Sequence, residues 1–304
     1  MAGGEALSLP RNLMRKTVVF ILSPNYSGSH FPSMLIGSNS HAMHMGEIRR
    51  LASSGSHAAS KEEPRFCFVC GGHQECSLFR GIQEVPLEET YSQLFMRANS
   101  DTRVLVDTSK KIAWAQQFET NPDYRTLYIH LVRDPRALVR RWSQTYTDFT
   151  ARLKQRKKQS INRPALAFAP QWKIYTHKWL KQNRKITNFL RTDGRPGYVI
   201  TYHDLAASTR SRLAELMQWL GLDFEPGQIN YWEHEHHGTQ KADYGWIGKN
   251  NSAFFDLRWQ EDIAKKVQQS IATDADVLAY LDETGLAIHD DGLTCARKGM
   301  EPGN

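Results

Sequence analysis

The stretch from Thr17 to Asn39, TVVFILSPNYSGSHFPSMLIGSN, constrains this chain more than any other. Thr17–Leu22 is an apolar run rich in β-branched and aromatic residues, the pattern of a buried strand. Ser23–Ser29 holds the turn formers, and Pro32 stands where a first helical turn tolerates it, so the spacing predicts strand, turn and helix. Such a turn presents backbone N–H groups at the positive end of a helix dipole, which is a ready site for a phosphate or another anion.

The same alternation continues along the chain. Leu87–Ala98 and Lys111–Phe118 read as helical, Val104–Val106, Thr126–Val132 and Tyr198–Tyr202 as strands, and a helix follows Arg133-Asp-Pro-Arg136 through Leu138 and Trp142. Gln171–Leu190 carries an aromatic stripe at helical spacing, and Leu213–Leu220 is an amphipathic helix stopped by Gly221. Strands alternating with helices predict an α/β fold, a parallel sheet flanked by helices on both faces. The close of the chain reads as helical, with a helix over Leu257–Ile271. One domain over 1–304 is expected, with 1–15 as an N-terminal segment and 292–304 as a flexible tail. Ligands of parallel sheets collect at the C-terminal ends of the strands. The Ser27 turn, Glu47, Lys110 and Arg133 all fall at such ends.

Hydrophobic residues at 40% and charged residues at 23% are those of a globular protein. A net charge of +7 favours anionic ligands, yet over 304 residues it is too modest to imply nucleic acid. No apolar run reaches the roughly 18 residues of a membrane span, and the N-terminus lacks the basic-then-apolar pattern of a signal peptide, so a cytoplasmic protein is expected. Arg152–Arg163 is basic and lacks an apolar period, which reads as a solvated linker or as an attractor of an acidic acceptor.

Of four cysteines, Cys67, Cys70 and Cys76 lie within ten residues, with His73 between them. Thiolates and imidazole suit tetrahedral zinc, so these four residues form a candidate structural zinc site; free or redox-paired thiols are the other reading. Glu233-His-Glu-His-His237 reads as a polar loop, with a second metal cluster or an active-site wall as alternatives.

The Ser27-Gly28-Ser29-His30 turn is not a Walker loop, because no Lys follows its glycine. Leu131-Val-Arg133-Asp-Pro-Arg136, continued by Arg140 and Arg141, sets guanidinium groups past a strand end, either as forks for phosphate oxygens or as a surface ion-pair cluster. Together with Met45-Gly46-Glu47, Val106-Asp-Thr-Ser-Lys110, Thr201-Tyr-His-Asp-Leu-Ala206 and Leu220-Gly-Leu-Asp-Phe-Glu-Pro226, these segments resemble the sulfotransferase family, its bacterial branch above all, across most of the chain.

The resemblance implies a P-loop-like sheet and a donor, 3′-phosphoadenosine 5′-phosphosulfate (PAPS), leaving as 3′-phosphoadenosine 5′-phosphate (PAP). By the same resemblance Ser27, Gly28, Ser29 and His30 hold the 5′-phosphosulfate, and Arg133 holds the 3′-phosphate. Trp246, Gly248 and Lys249 resemble a late loop that folds over the nucleotide. The chain departs from the family at two places: Tyr26 stands where many relatives carry Lys or Arg, and Arg141 stands where a serine is expected, with Ser143 two residues on.

Glu47 matches the glutamate that acts as general base in part of the family, Lys110 the lysine beside the bridging oxygen, and His44 and His41 are the alternative bases. The acceptor would be a small or medium hydroxyl or amine. Two rival functions are a PAP-binding protein that has lost catalysis, for which Tyr26 speaks, and a nucleotide kinase. The absent Walker lysine and magnesium carboxylate count against the kinase.

Overall fold

Side-chain alternation along the first strand sets the architecture. In β1 (Thr17–Leu22), Val18, Phe20 and Leu22 enter one apolar cluster while Val19 and Ile21 enter another on the opposite face, so the strand lies between two layers. The computed structural model describes residues 15–52, 66–67, 69–72, 74–240 and 255–296.

The remaining strands are β2 (Ala42–Gly46), β3 (Phe66–Cys67), β4 (Gly71–Gly72), β5 (Val104–Asp107), β6 (Arg125–Val132), β7 (Gly197–Thr201), β8 (Thr239–Gln240), β9 (Leu286–Ile288) and β10 (Leu293–Cys295). The helices are α1 (His30–Gly37), α2 (Arg49–Ala52), α3 (Thr90–Arg97), α4 (Ile112–Ala115), α5 (Pro135–Thr145), α6 (Phe149–Ser160), α7 (Gln171–Arg191), α8 (Tyr202–Ala207), α9 (Thr209–Leu220), α10 (Trp259–Asp262), α11 (Lys265–Ala272) and α12 (Ala275–Thr284).

The main sheet has the order β4-β3-β8-β2-β5-β1-β6-β7. Its centre, β2-β5-β1-β6-β7, is parallel throughout, as the alternating pattern predicts. On one face Tyr91, Leu94 and Phe95 of α3 pack with Trp114 and Phe118 against Phe20 and Tyr128. On the other, Met34 and Leu35 of α1 and Leu213, Leu216 and Met217 of α9 cover Val19, Ile21 and Ile129. Each such side chain removed from water contributes about 1.5–3 kcal/mol. A third cluster joins α5, α7, α11 and α12 through Trp142, Trp179 and Tyr280, which accounts for the helical close of the chain. Among the described residues no helix is long and apolar enough to cross a membrane.

Three expectations are corrected. The basic stretch 152–163 is largely helix rather than linker: Asp148 caps α6 by accepting from the Ala151 amide at 2.7 Å, and the Arg156 guanidinium donates to the carbonyls of Ala167 and Ala169 at 3.0 and 2.6 Å. Those contacts are invisible to an apolar-period reading. The helix expected over Leu257–Ile271 is two, because Ile263 adopts an extended backbone after α10 and the Gln268 amide takes the carbonyls of Gln260 and Ile263. The supposed tail carries β10, which pairs antiparallel with β9, buries Leu293 and donates the Cys295 amide to Asp204 at 2.7 Å.

Candidate active site

The parallel strands deliver their C-terminal ends to one edge of the sheet, and the chemistry-bearing turns follow there. After β1 the chain passes through Tyr26 and Gly28, both at positive φ (73° and 83°), before entering α1 at His30. Gly28 is required: a Cβ there would stand 2.6 Å from the Tyr202 ring, and φ lies in the left-handed region. The hydroxyls of Ser27 and Ser29 are buried without a hydrogen-bond partner among the described residues. Buried orphan hydroxyls are costly, and at a helix N-terminus they suit an anion that accepts from them.

Arg133 follows β6 and closes this turn from the side. Its guanidinium donates to the Tyr26 carbonyl at 3.1 Å and to Asp256 at 2.6 Å, and it lies 4.5 Å from the centroid of the Tyr202 ring. Burial alone would raise the Asp256 carboxyl, but the hydrogen bonds from Arg258 and the charge of Arg133 hold it down at about 2. Asp256 therefore stands as an anion on the group expected to grip a phosphate.

The other arginines of the Arg133–Arg141 segment divide. Arg136 is buried, bonded to Asp134 and the His289 carbonyl and stacked on Trp259 at 3.9 Å, so it fastens α5 to the C-terminal elements. Arg140 pairs with Asp262. Arg141 turns to the phosphate-type turn and places its guanidinium over the Tyr26 ring, 4.9 Å from the centroid. Ser143, two residues on and so on a different side of the helix, spends its hydroxyl on the Val139 carbonyl at 2.8 Å.

Glu47 leaves the end of β2. Gly46, at φ 72°, has its α-carbon against the backbone of Thr239, and the Glu47 amide donates to the Thr239 carbonyl at 3.2 Å. The Glu47 carboxylate is paired with Lys110 Nζ at 2.5 Å and with Arg50. Burial would raise its pKa, but the charge and hydrogen bond of Lys110 and the charge of Arg50 lower it to about 2. Lys110 is itself a non-glycine residue at positive φ, 63°, in the turn after β5. The buried Asp107 organises that turn, accepting from Tyr91, from the Ser109 amide and from Trp114 Nε1 at 3.1 Å, while Ser109 Oγ accepts from the Arg49 amide at 3.1 Å.

His30 and His44 are buried, with rings 5.6 Å apart. Burial, then the charge of Lys110, lowers the His30 pKa to about 3, and burial beside His30 and His236 lowers that of His44 well below its usual value. His44 hydrogen-bonds Ser33 of α1 at 2.5 Å, beneath the helix and two residues short of the strand end that carries Glu47. His41 instead meets the Asp101 carbonyl at 3.0 Å at the opposite end of β2. Of the candidate bases, Glu47 is the one that follows a strand end at the open edge of the sheet.

Cys67, Cys70 and Cys76 do come together, and the fourth group beside them is His237, with all four ligand atoms within 4.8 Å of one another. His73 lies outside the described residues, as do Trp246, Gly248 and Lys249. Tyr202 and Asp256 were not singled out from sequence. Tyr202 sits in a quoted motif, whereas Asp256 carries no local signal.

No family model matches the chain, and neither does any curated protein. Solved structures do. A sulfotransferase domain from the curacin biosynthetic pathway aligns over 85% of this chain and 96% of that one, with a TM-score of 0.54 and 18% identity. A sulfotransferase domain from the Synechococcus PCC 7002 olefin synthase aligns over 90% of this chain and 96% of that one, with a TM-score of 0.49 and 16% identity. The first of these likenesses, at its low identity, is one of fold.

Proposed function

We propose that this chain, which has the sulfotransferase fold, transfers a sulfuryl group from PAPS to a hydroxyl or amine of a small or medium acceptor. The observation that carries the reading is the convergence, at one sheet edge, of the Ser27–Ser29 turn with its two orphan hydroxyls, Arg133, and the Glu47–Lys110 pair. The turn would receive the 5′-phosphosulfate on its N–H groups and hydroxyls. Arg133 would exchange Asp256 for the 3′-phosphate, a doubly charged and bidentate partner.

In the transfer itself the acceptor oxygen or nitrogen forms a bond to sulfur as the bond from sulfur to the bridging oxygen breaks. The acceptor proton passes to Glu47, and PAP leaves carrying the bridging electron pair. Glu47 held at about 2 is a weak base while Lys110 stays on it. Once the Lys110 ammonium turns to the bridging oxygen, Glu47 loses the cation that most depresses it and gains proton affinity. One movement thus stabilises the leaving group and arms the base.

Thermal shift with PAP, ADP and ATP tests the donor class, and transfer from radiolabelled PAPS to a panel of hydroxyl and amine acceptors tests the reaction. A selective rise with PAP together with transfer is expected; stabilisation by ATP and magnesium alone would overturn it. The grip of two cations on Glu47 also favours a second reading, a PAP-binding protein without catalysis, for which the signature is tight PAP binding with no transfer across the panel.

A further inference from the structure

The β3–β4 hairpin and β8 are strands of two residues each, far too short to hold an edge of a sheet by their own ladder bonds. They meet at Thr239, which pairs with Cys67 on one side and Gly46 on the other. What surrounds that junction is a set of metal-ligand atoms. The sulfurs of Cys67, Cys70 and Cys76 lie 3.5, 3.6 and 3.7 Å from Nδ1 of His237.

Three thiolates at about 2.3 Å and an imidazole at about 2.0–2.1 Å around a tetrahedral zinc would leave about 3.6 Å between the nitrogen and each sulfur. The match holds for all three. Backbone N–H groups of Val69 and Cys70 also point at the Cys67 sulfur. The other ring nitrogen of His237 faces Glu235 at 3.9 Å, the direction from which metal-bound imidazoles are commonly oriented.

We propose that Cys67, Cys70, Cys76 and His237 bind one zinc ion, and that this ion fastens the sheet edge on which Glu47 is hung. The ligands come from chain positions up to 170 residues apart, so the ion closes a long loop and joins the cysteine hairpin to β8. Through the Thr239 carbonyl, β8 in turn holds the Glu47 amide, and the Thr239 hydroxyl donates to the Met45 carbonyl at 3.2 Å. Zinc binding stands independently of the donor; only the consequence for Glu47 as a base rests on the sulfuryl-transfer reading.

The test uses the full chain expressed with zinc supplied. One zinc per chain is expected, and replacement by cobalt should give the intense visible bands of a tetrahedral thiolate site. Competition with a chromophoric chelator should show His237→Ala weakening affinity by at least about tenfold, in line with loss of a ligand, while His73→Ala binds as the wild type does. If His237→Ala fails to fold, His237→Cys should retain the ion and move the cobalt spectrum toward four thiolates. A folded chain without metal, metal loss in His73→Ala rather than in His237→Ala, or a cobalt spectrum that His237→Cys leaves unchanged overturns the site. Chelation of the wild type should also release the Glu47 amide to hydrogen exchange; unchanged protection would overturn the clamp. Zinc present without PAP binding would sink the sulfuryl-transfer reading and leave the metal site standing.

Discussion

The guanidinium of Arg141 lies 4.9 Å from the centroid of the Tyr26 ring, so the two places where this chain departs from the sulfotransferase pattern touch each other. In the sulfotransferase pattern that the sequence resembles, a cation is expected where Tyr26 stands and a serine where Arg141 stands. The contact sets the guanidinium beside the Ser27 turn, and under the proposed function it would supply there the positive charge that Tyr26 does not.

A double-mutant cycle tests that exchange. Tyr26→Leu and Arg141→Ala should each weaken PAP binding, with a coupling of about 0.5–1 kcal/mol between them. The swap Tyr26→Lys with Arg141→Ser should bind PAP within about threefold of the wild type, a cost below 1 kcal/mol. Additive single losses measured by calorimetry, or a dead swap, would show the contact to be incidental.

Arg133 is predicted to read the 3′-phosphate. Arg133→Ala should weaken PAP by about 1.5–3 kcal/mol, the usual worth of a charge-assisted bond, and leave a nucleotide lacking the 3′-phosphate almost unaffected. Equal losses for both nucleotides would remove the assignment. Because Asp256 occupies the same guanidinium at 2.6 Å, Asp256→Asn should tighten PAP rather than weaken it, and a weakened affinity in that variant would count against Arg133 as the phosphate ligand.

Glu47→Gln should reduce transfer by about 10²–10⁴ with PAP affinity nearly unchanged, the signature of a lost general base. The ion pair has a separate signature in stability. The Glu47 carboxyl is lowered from 4.5 to about 2 in the folded chain. Its stabilising share is therefore fully present above pH 4.5 and fades as pH falls from there toward 2. Urea unfolding across that window should show the pH-dependent part of the difference between wild type and Glu47→Gln shrinking as acid is added. A difference independent of pH would mean that Glu47 is not held ionised in the fold.

The parallel sheet was legible because its strands announce themselves: Thr17–Leu22 and Thr126–Val132 are apolar on both faces, and each is followed by turn residues. The placement of Ser27, Glu47, Lys110 and Arg133 after strand ends was legible for the same reason, since an α/β sheet sends every such end to one edge. What stayed hidden depends on contacts between distant segments. His237 joins the cysteines from 161 to 170 residues away, a separation across which no local spacing points to it, while the nearer His73 lies outside the described residues. Arg136 belongs to the same guanidinium cluster as Arg133, yet Asp134 and Trp259 bury it, and no spacing reveals which guanidinium faces the open end of the sheet and which faces the core.

The buried histidines set the acid limit of the fold. His30 is lowered to about 3 by burial and then by Lys110, His130 to about 4 chiefly by burial, and His44 well below its usual value, so all three are neutral in the folded chain at neutral pH. Below pH 6.5 the unfolded chain binds protons at these positions that the folded chain refuses. Stability is thus full above pH 6.5 and falls as pH drops toward 4, each histidine adding at most about 1.4 kcal/mol per pH unit to the slope. His130 offers the cleanest measurement, since burial and the bond to Asn183 at 3.0 Å are what set its pKa, with no charged neighbour contributing. His130→Gln, which can still bond Asn183, should remove about one proton from the slope of unfolding free energy between pH 6.5 and 4.5 while leaving PAP affinity unchanged. An unaltered slope would mean that His130 takes up its proton inside the folded chain, with the sheet giving way around it.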